Sequence, residues 1–223
     1  MGSDPRPRIL IWRHGQTDWN VENRFQGHSD IPLNEVGLYQ VAHSAKILAG
    51  MSPTRIISSD LIRARQTATP LSDLLGLPVN IDARIRETHG GNWEGKTGSE
   101  NRAADSSRFL GWLSGSDEPA GETGERRTEV AERALSLVND ELADTRGLLV
   151  LVTHGGTARC LLGKMLDLPV EQWGVLGGLS NASWSIVEMD RNHKWILTEH
   201  NAGSSPELFL GNEALANPDS PKL

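Results

Sequence analysis

The chain of 223 residues has a single cysteine, Cys160, so neither an intrachain disulfide nor a multi-cysteine metal site can form, and only a thiol nucleophile stays open. It also lacks any apolar run near the ~20 residues that span a bilayer, and residues 1 to 8 lack the apolar core of a secretory signal. A cytoplasmic protein without a membrane partner is expected. Basic charge is scarce too: 22 Lys and Arg stand against 29 Asp and Glu, a net charge of −7. That balance argues against a nucleic-acid partner, which requires a basic face to displace phosphate counterions. Within the small basic set 17 residues are Arg, whose planar fork matches phosphate or carboxylate, although a GC-rich genome produces the same bias. The 37% hydrophobic and 23% charged residues are those of an ordinary globular protein, and the length fits one domain over 1–223.

Arg8 to Trp12, Arg55 to Ser58 and Leu148 to Thr153 are short apolar runs of the kind buried in parallel sheets. Val79 to Ile85 alternates enough for another strand, and Ala182–Met189 with Lys194–Glu199 forms a closing hairpin around Asp190 to His193. Helices are expected from the cap Asn34 to Gly50, from Ser59 or Asp60 to Leu75 with Pro70 kinking or splitting it, from Thr123 to Asp144, and from Thr157 to Leu168. Strands alternating with helices predict an α/β fold, a three-layer α/β/α sandwich with a mostly parallel central sheet. A Gly- and Ser-rich stretch at about 88–123 reads as a covering segment, and the chain from about 203 as an irregular tail.

Two strands end in the same step, Arg13-His14-Gly15 and Thr153-His154-Gly155. Open α/β sheets bind ligands at the carboxyl ends of their strands, so both histidines are expected at one crevice. Arg13 adds a fixed charge, Arg63 enters from the first turn of the second helix, and Gly15 and Gly155 let a ligand approach backbone N–H groups. Such a set suits a phosphoryl group. A divalent metal held by His14, His154, His89 and Glu87 is the rival, but Arg13 would repel it and no HExxH spacing occurs. No metal or other cofactor is therefore expected. For Glu87 the structural alternative is an ion pair with Arg84 or Arg86, and His89 and Glu94 read as surface residues.

Arg13-His14-Gly15-Gln16-Thr17 resembles the signature of the histidine phosphatase superfamily, which includes the cofactor-dependent phosphoglycerate mutases. The match extends through Asn20, Asn23 to Gly27, Pro32 to Asn34, Ser58 to Ala64, Gln66 to Ala68, Glu87, Gly121 to Thr123 and Thr153 to Gly156, almost the whole chain. The resemblance implies a phosphoglycerate mutase-like fold and a nucleophilic His14 that becomes a phosphohistidine. It implies that Arg13, Arg63 and His154 hold the phosphoryl group, that Glu87 moves the proton, and that Asn20, Gln26 and Gly27 help bind phosphate. Gly155 joins them from its strand-end position. A neutral imidazole with one nitrogen held by a hydrogen bond is a competent nucleophile near neutral pH. Fixed cations can stabilise the charge spread over the transferring group without a metal.

Mutases of the superfamily carry a longer insertion after the glutamate, opening on a Glu-Arg-His-Tyr-like stretch. This chain has Glu87-Thr88-His89-Gly90 to Gly95 instead, which resembles the phosphatase branch. A phosphohistidine open to water is hydrolysed, whereas a mutase must shield it. Arg86 to His89 with Gly177 to Trp184 is most similar to the actinobacterial glucosyl-3-phosphoglycerate phosphatases. The expected substrate is thus a small-molecule phosphomonoester, a phosphorylated sugar or glycerate. Phosphoglycerate mutase activity and a non-catalytic phosphate-binding module are the alternatives, and the hairpin and tail offer surfaces for a homodimer. Trp93 and Trp112 in the cover either meet the leaving group or pin the segment to the domain.

Overall fold

The two most apolar runs become neighbouring strands. In the computed structural model, which describes residues 6–142 and 147–203, β1 (Arg8–Arg13) pairs in parallel with β4 (Leu148–Thr153). With β2 (Arg55–Ser58), β3 (Val79–Ile81), β5 (Trp184–Met189) and β6 (Trp195–Ala202) they form a sheet of order β3-β2-β4-β1-β5-β6. Strands β3, β2, β4 and β1 run parallel, β5 pairs antiparallel with β1, and β6 pairs antiparallel with β5.

Alternation along the buried strands divides the core. Ile9 and Ile11 of β1 and Leu149 and Leu151 of β4 face one layer, made by α6 (Arg127–Leu142) and α7 (Gly155–Met165). Leu10 and Trp12, with Val150 and Val152, face the other, made by α2 (Glu35–Gly50) and α3 (Ile62–Leu75). These are the three layers expected. Each fully buried Leu or Ile there contributes about 1.5–3 kcal/mol relative to exposure. A four-residue helix α1 (Asp18–Val21) follows β1, and the cover contains α4 (Gly98–Ala104) and α5 (Ser106–Leu113). Trp93, Phe109, Trp112 and Ala120 give this segment a small core of its own, with Phe25 packed against it.

Several local expectations need correction. Helix α3 runs through Pro70 without splitting, and apolar burial of Ala68 and Leu71 around it holds the helix in one piece. Its cap is neither Ser59 nor Asp60. The N-cap residue is Leu61, and the Ile62 N–H is taken at 2.6 Å by Asp30 from a distant loop. The strand expected over 79–85 stops at Ile81, because Asp82 accepts from the Arg84 N–H and turns Ala83–Ile85 into a 3-10 turn. Helix α6 begins at Arg127, not Thr123, since Gly121 and Glu122 both have positive φ, a region closed to helix. Asp144, its expected end, lies outside the described residues, as does the tail beyond Gly203. Helix α7 begins at Gly155 and ends at Met165. No described helix is long and apolar enough to cross a membrane.

Candidate active site

Strand register brings the two His-Gly steps together. Arg13 lies opposite Thr153 at the carboxyl ends of β1 and β4, so the next residues, His14 and His154, leave the sheet side by side with ring centroids 5.2 Å apart. The backbone of His14 is pinned independently of its ring: its N–H donates to Thr153 O, and its carbonyl accepts from Ala182 N and Asn181 Nδ2. The ring is 2% exposed, and its Nδ1 lies 2.7 Å from the carbonyl oxygen of Gly15. A carbonyl can only accept, so Nδ1 carries the proton and Nε2 keeps its lone pair. Burial, then the positive charges of Arg63 and Arg13, hold the pKa of His14 well below that of an ordinary histidine. The neutral nucleophilic form follows.

Arg63 is fully buried in the first turn of α3 and braced in three directions. Its Nε donates to His154 Nδ1 at 3.2 Å, Nη1 to Ser29 O at 2.7 Å and Nη2 to Gly27 O at 2.8 Å. Burial lowers its pKa to about 10, opposed by the negative charge of Glu87, so the guanidinium remains charged at neutral pH. Since Nδ1 of His154 accepts from Arg63, Nε2 bears the proton and donates to Ser59 Oγ at 2.8 Å. Burial and the Arg63 charge keep this ring neutral too.

Glu87 takes the position between the covering segment and α7. Its Oε1 accepts from the Thr88 N–H at 2.8 Å and the Thr157 N–H at 3.0 Å, and Oε2 accepts from the Gly156 N–H at 3.2 Å. The positive end of α7 therefore meets a carboxylate, as helix N-termini favour. Arg84 pairs instead with Asp82 and Asp140, and Arg86 with Asp60, so the ion-pair alternative for Glu87 does not hold.

A pocket forms over these groups. Arg13, His14, Asn20, Gln26, Gly27, Arg63, Glu87 and Gly155 line it, together with Arg24, Phe25, Thr88, Trp112 and Gly156. Eight of the nine residues singled out from the sequence thus line one pocket. His154 is the ninth and is not among the lining residues. With no exposed surface and both ring nitrogens engaged, it stands behind His14 and Arg63; reaching a phosphoryl group requires one nitrogen to change partner. Gln26 Oε1 is buried without a hydrogen-bond partner among the described residues; an amide oxygen only accepts, so the group of Gln26 able to serve a phosphate oxygen is its Nε2. Gly15 plays a different part from the one expected. A Cβ there would lie 2.6 Å from Gly37 O, and its N–H is taken by Thr67, so this glycine admits α2 rather than a ligand.

Four supporting residues escaped the sequence reading. Ser59 orients His154, Asn181 ties His14 O to Asn20 Oδ1, and Arg133 donates to the carbonyls of Arg84, Arg86 and Glu87. The fourth, Glu94, corrects its reading as a surface residue. Its carboxylate accepts from the N–H groups of His28 and Gly90 and from Ser29 Oγ, which fastens the 26–29 loop to the cover. Gly27 has φ +50°, and a Cβ there would come within 2.0 Å of Glu94 Oε1; both facts demand glycine. Among the described residues no three His, Cys, Asp or Glu side chains gather as a metal set.

Residues 9–202 match the family model described as histidine phosphatase superfamily (branch 1). The chain belongs to the histidine phosphatase superfamily. It is similar to the glucosyl-3-phosphoglycerate phosphatase of Mycolicibacterium vanbaalenii, 43% identical over 186 residues that cover 79% of this chain and 82% of the relative. The metal-independent phosphoserine phosphatase of Arabidopsis thaliana is 33% identical, over 85% of this chain and 79% of that protein. Among solved structures, mycobacterial glucosyl-3-phosphoglycerate phosphatase in complex with VO3 superposes with a TM-score of 0.83 at 39% identity, covering 88% of this chain and 99% of that one. This member of the superfamily is a phosphatase acting on a phosphorylated substrate.

Proposed function

We propose that this phosphatase, folded as one domain, hydrolyses a glycosylated glycerate phosphate, glucosyl-3-phosphoglycerate, in the cytoplasm through a phosphohistidine on His14. The observation that carries the chemistry is the neutral His14 ring on the pocket wall, its Nδ1 held by Gly15 O. In the first half-reaction Nε2 attacks phosphorus as the ester P–O bond breaks, and the departing alkoxide takes a proton from Glu87. In the second, water gives a proton to Glu87 while its oxygen bonds to phosphorus; the P–N bond breaks and its electron pair returns to Nε2. Arg13 and Arg63, with Asn20, Gln26, Gly27 and Gly155 around them, stabilise charge on the equatorial oxygens. His154 holds Arg63 in place for that task.

The substrate reading rests on the relatives named for this reaction, which align with about four-fifths of the chain at 40–43% identity. Trp112 supports it locally. It is one of the residues lining the pocket, and the Arg127 guanidinium lies 3.9 Å from its ring centroid. Trp93 instead packs edge-on against Phe109 and Trp112 and does not line the pocket. An aromatic face suits the apolar side of a sugar. A panel of glucosyl-3-phosphoglycerate, 3-phosphoglycerate, phosphoserine and p-nitrophenyl phosphate should give the highest kcat/KM on the first. Trp112→Ala should then cost about tenfold more on glucosyl-3-phosphoglycerate than on the aryl ester. Trp93→Ala should lower stability by about 3–5 kcal/mol and reduce both rates alike. Preference for phosphoserine, or equal losses on the two esters for Trp112→Ala, would contradict this assignment.

A further inference from the structure

One polar group at the site has no assigned part. Thr88 follows Glu87, lines the pocket and is 3% exposed, yet its Oγ1 has no hydrogen-bond partner among the described residues. Buried hydroxyls are rarely left so. Its place is well defined: a Cβ added to Gly156 would lie 2.9 Å from Thr88 Oγ1 and 2.6 Å from Glu87 Oε1. The hydroxyl and the carboxylate therefore flank the same Cα, that of Gly156, which is itself a residue of the pocket lining. Thr88 is also held firmly, since its own N–H donates to Glu87 Oε1 at 2.8 Å.

We propose that Thr88 is a further catalytic residue, whose hydroxyl contacts the oxygen that lies opposite His14 on phosphorus. That apical position is occupied twice in one turnover: by the ester oxygen as it leaves, and by the water oxygen as it attacks. Glu87 handles the proton in both steps. A group moving a proton to or from this oxygen fixes only one direction around it, and a second hydrogen bond from Thr88 aligns its reacting lone pair with phosphorus. No proton is transferred to Thr88. Gly156 leaves the gap through which both groups reach the position, so a side chain there would collide with both.

The inference rests on the phosphohistidine reading, and dephosphorylation tests it without regard to substrate identity. Enzyme is loaded with labelled p-nitrophenyl phosphate in a single turnover, and decay of the phosphoenzyme is followed by rapid alkaline quench. Thr88→Val, which keeps the shape and removes the hydroxyl, should slow decay by about 10- to 100-fold, whereas Thr88→Ser should stay within about threefold of wild type. If Thr88→Val lowers the melting temperature by more than a few degrees, Thr88→Ala replaces it in the comparison. Decay as fast in the hydroxyl-free variant as in wild type overturns the proposal. So does Thr88→Ser decaying as slowly as Thr88→Val, because restoring the hydroxyl would then restore no rate. Absence of a phosphoenzyme in wild type would instead overturn the His14 mechanism on which the proposal stands.

Discussion

His14→Ala abolishes turnover, with a loss of at least about 10⁴-fold in kcat, the scale set by removing a covalent nucleophile. The expectation follows from geometry that dedicates the ring to one task. Nδ1 is held by Gly15 O, and burial beside Arg63 and Arg13 keeps the ring neutral. The fold should survive, because the hydrogen bonds to Thr153, Ala182 and Asn181 are made by the His14 backbone. Circular dichroism and thermal melting should match wild type within a few degrees. Substantial activity in a folded variant would show that another group attacks phosphorus.

Arg63→Ala should lower kcat/KM by about 30- to 900-fold, equivalent to roughly 2–4 kcal/mol for losing one preorganised charge donor. Two effects combine. The transferring group loses a fixed cation, and the carbonyls of Gly27 and Ser29 lose their donor, which frees the loop carrying Gln26. A melting-temperature decrease should accompany the rate loss, since each unsatisfied buried carbonyl costs about 1–3 kcal/mol. Arg63→Lys separates the two effects: a point charge remains, but one ammonium cannot span Gly27, Ser29 and His154 as the planar fork does. It should recover only a small part of the rate. A loss below fivefold for Arg63→Ala would place this guanidinium outside the reaction.

The sequence made the central sheet legible because Ile9 to Trp12 and Leu148 to Val152 are short, continuous apolar runs with no competing helical period. The division of these residues between the two faces emerges only in the packed core. Element ends were less legible. Helix α3 is capped by Asp30, thirty-two residues away, and no local pattern encodes such a partner. The same separation explains the site. Arg13, His14 and Arg63 sit at strand ends or a first helical turn, positions that topology sends to one crevice. Ser59, Asn181, Arg133 and Glu94 act through bonds to distant backbone or to other side chains, and each resembles an ordinary polar residue in sequence. Glu94 had one available signal. Its neighbours Gly90 and Gly95 flag a backbone approach, and Gly27 marks the loop that approaches it.

Covalent labelling of His14 tests the account most directly. Wild-type enzyme, freed of divalent ions and kept in chelator, is mixed with ³²P-labelled phosphomonoester, quenched in alkali and digested for peptide mapping. The account predicts an alkali-stable, acid-labile phosphate on the peptide containing His14, formed and hydrolysed at rates that support turnover, and no label in His14→Ala. Label on Cys160 or a serine, or turnover that requires a restored metal, would contradict it.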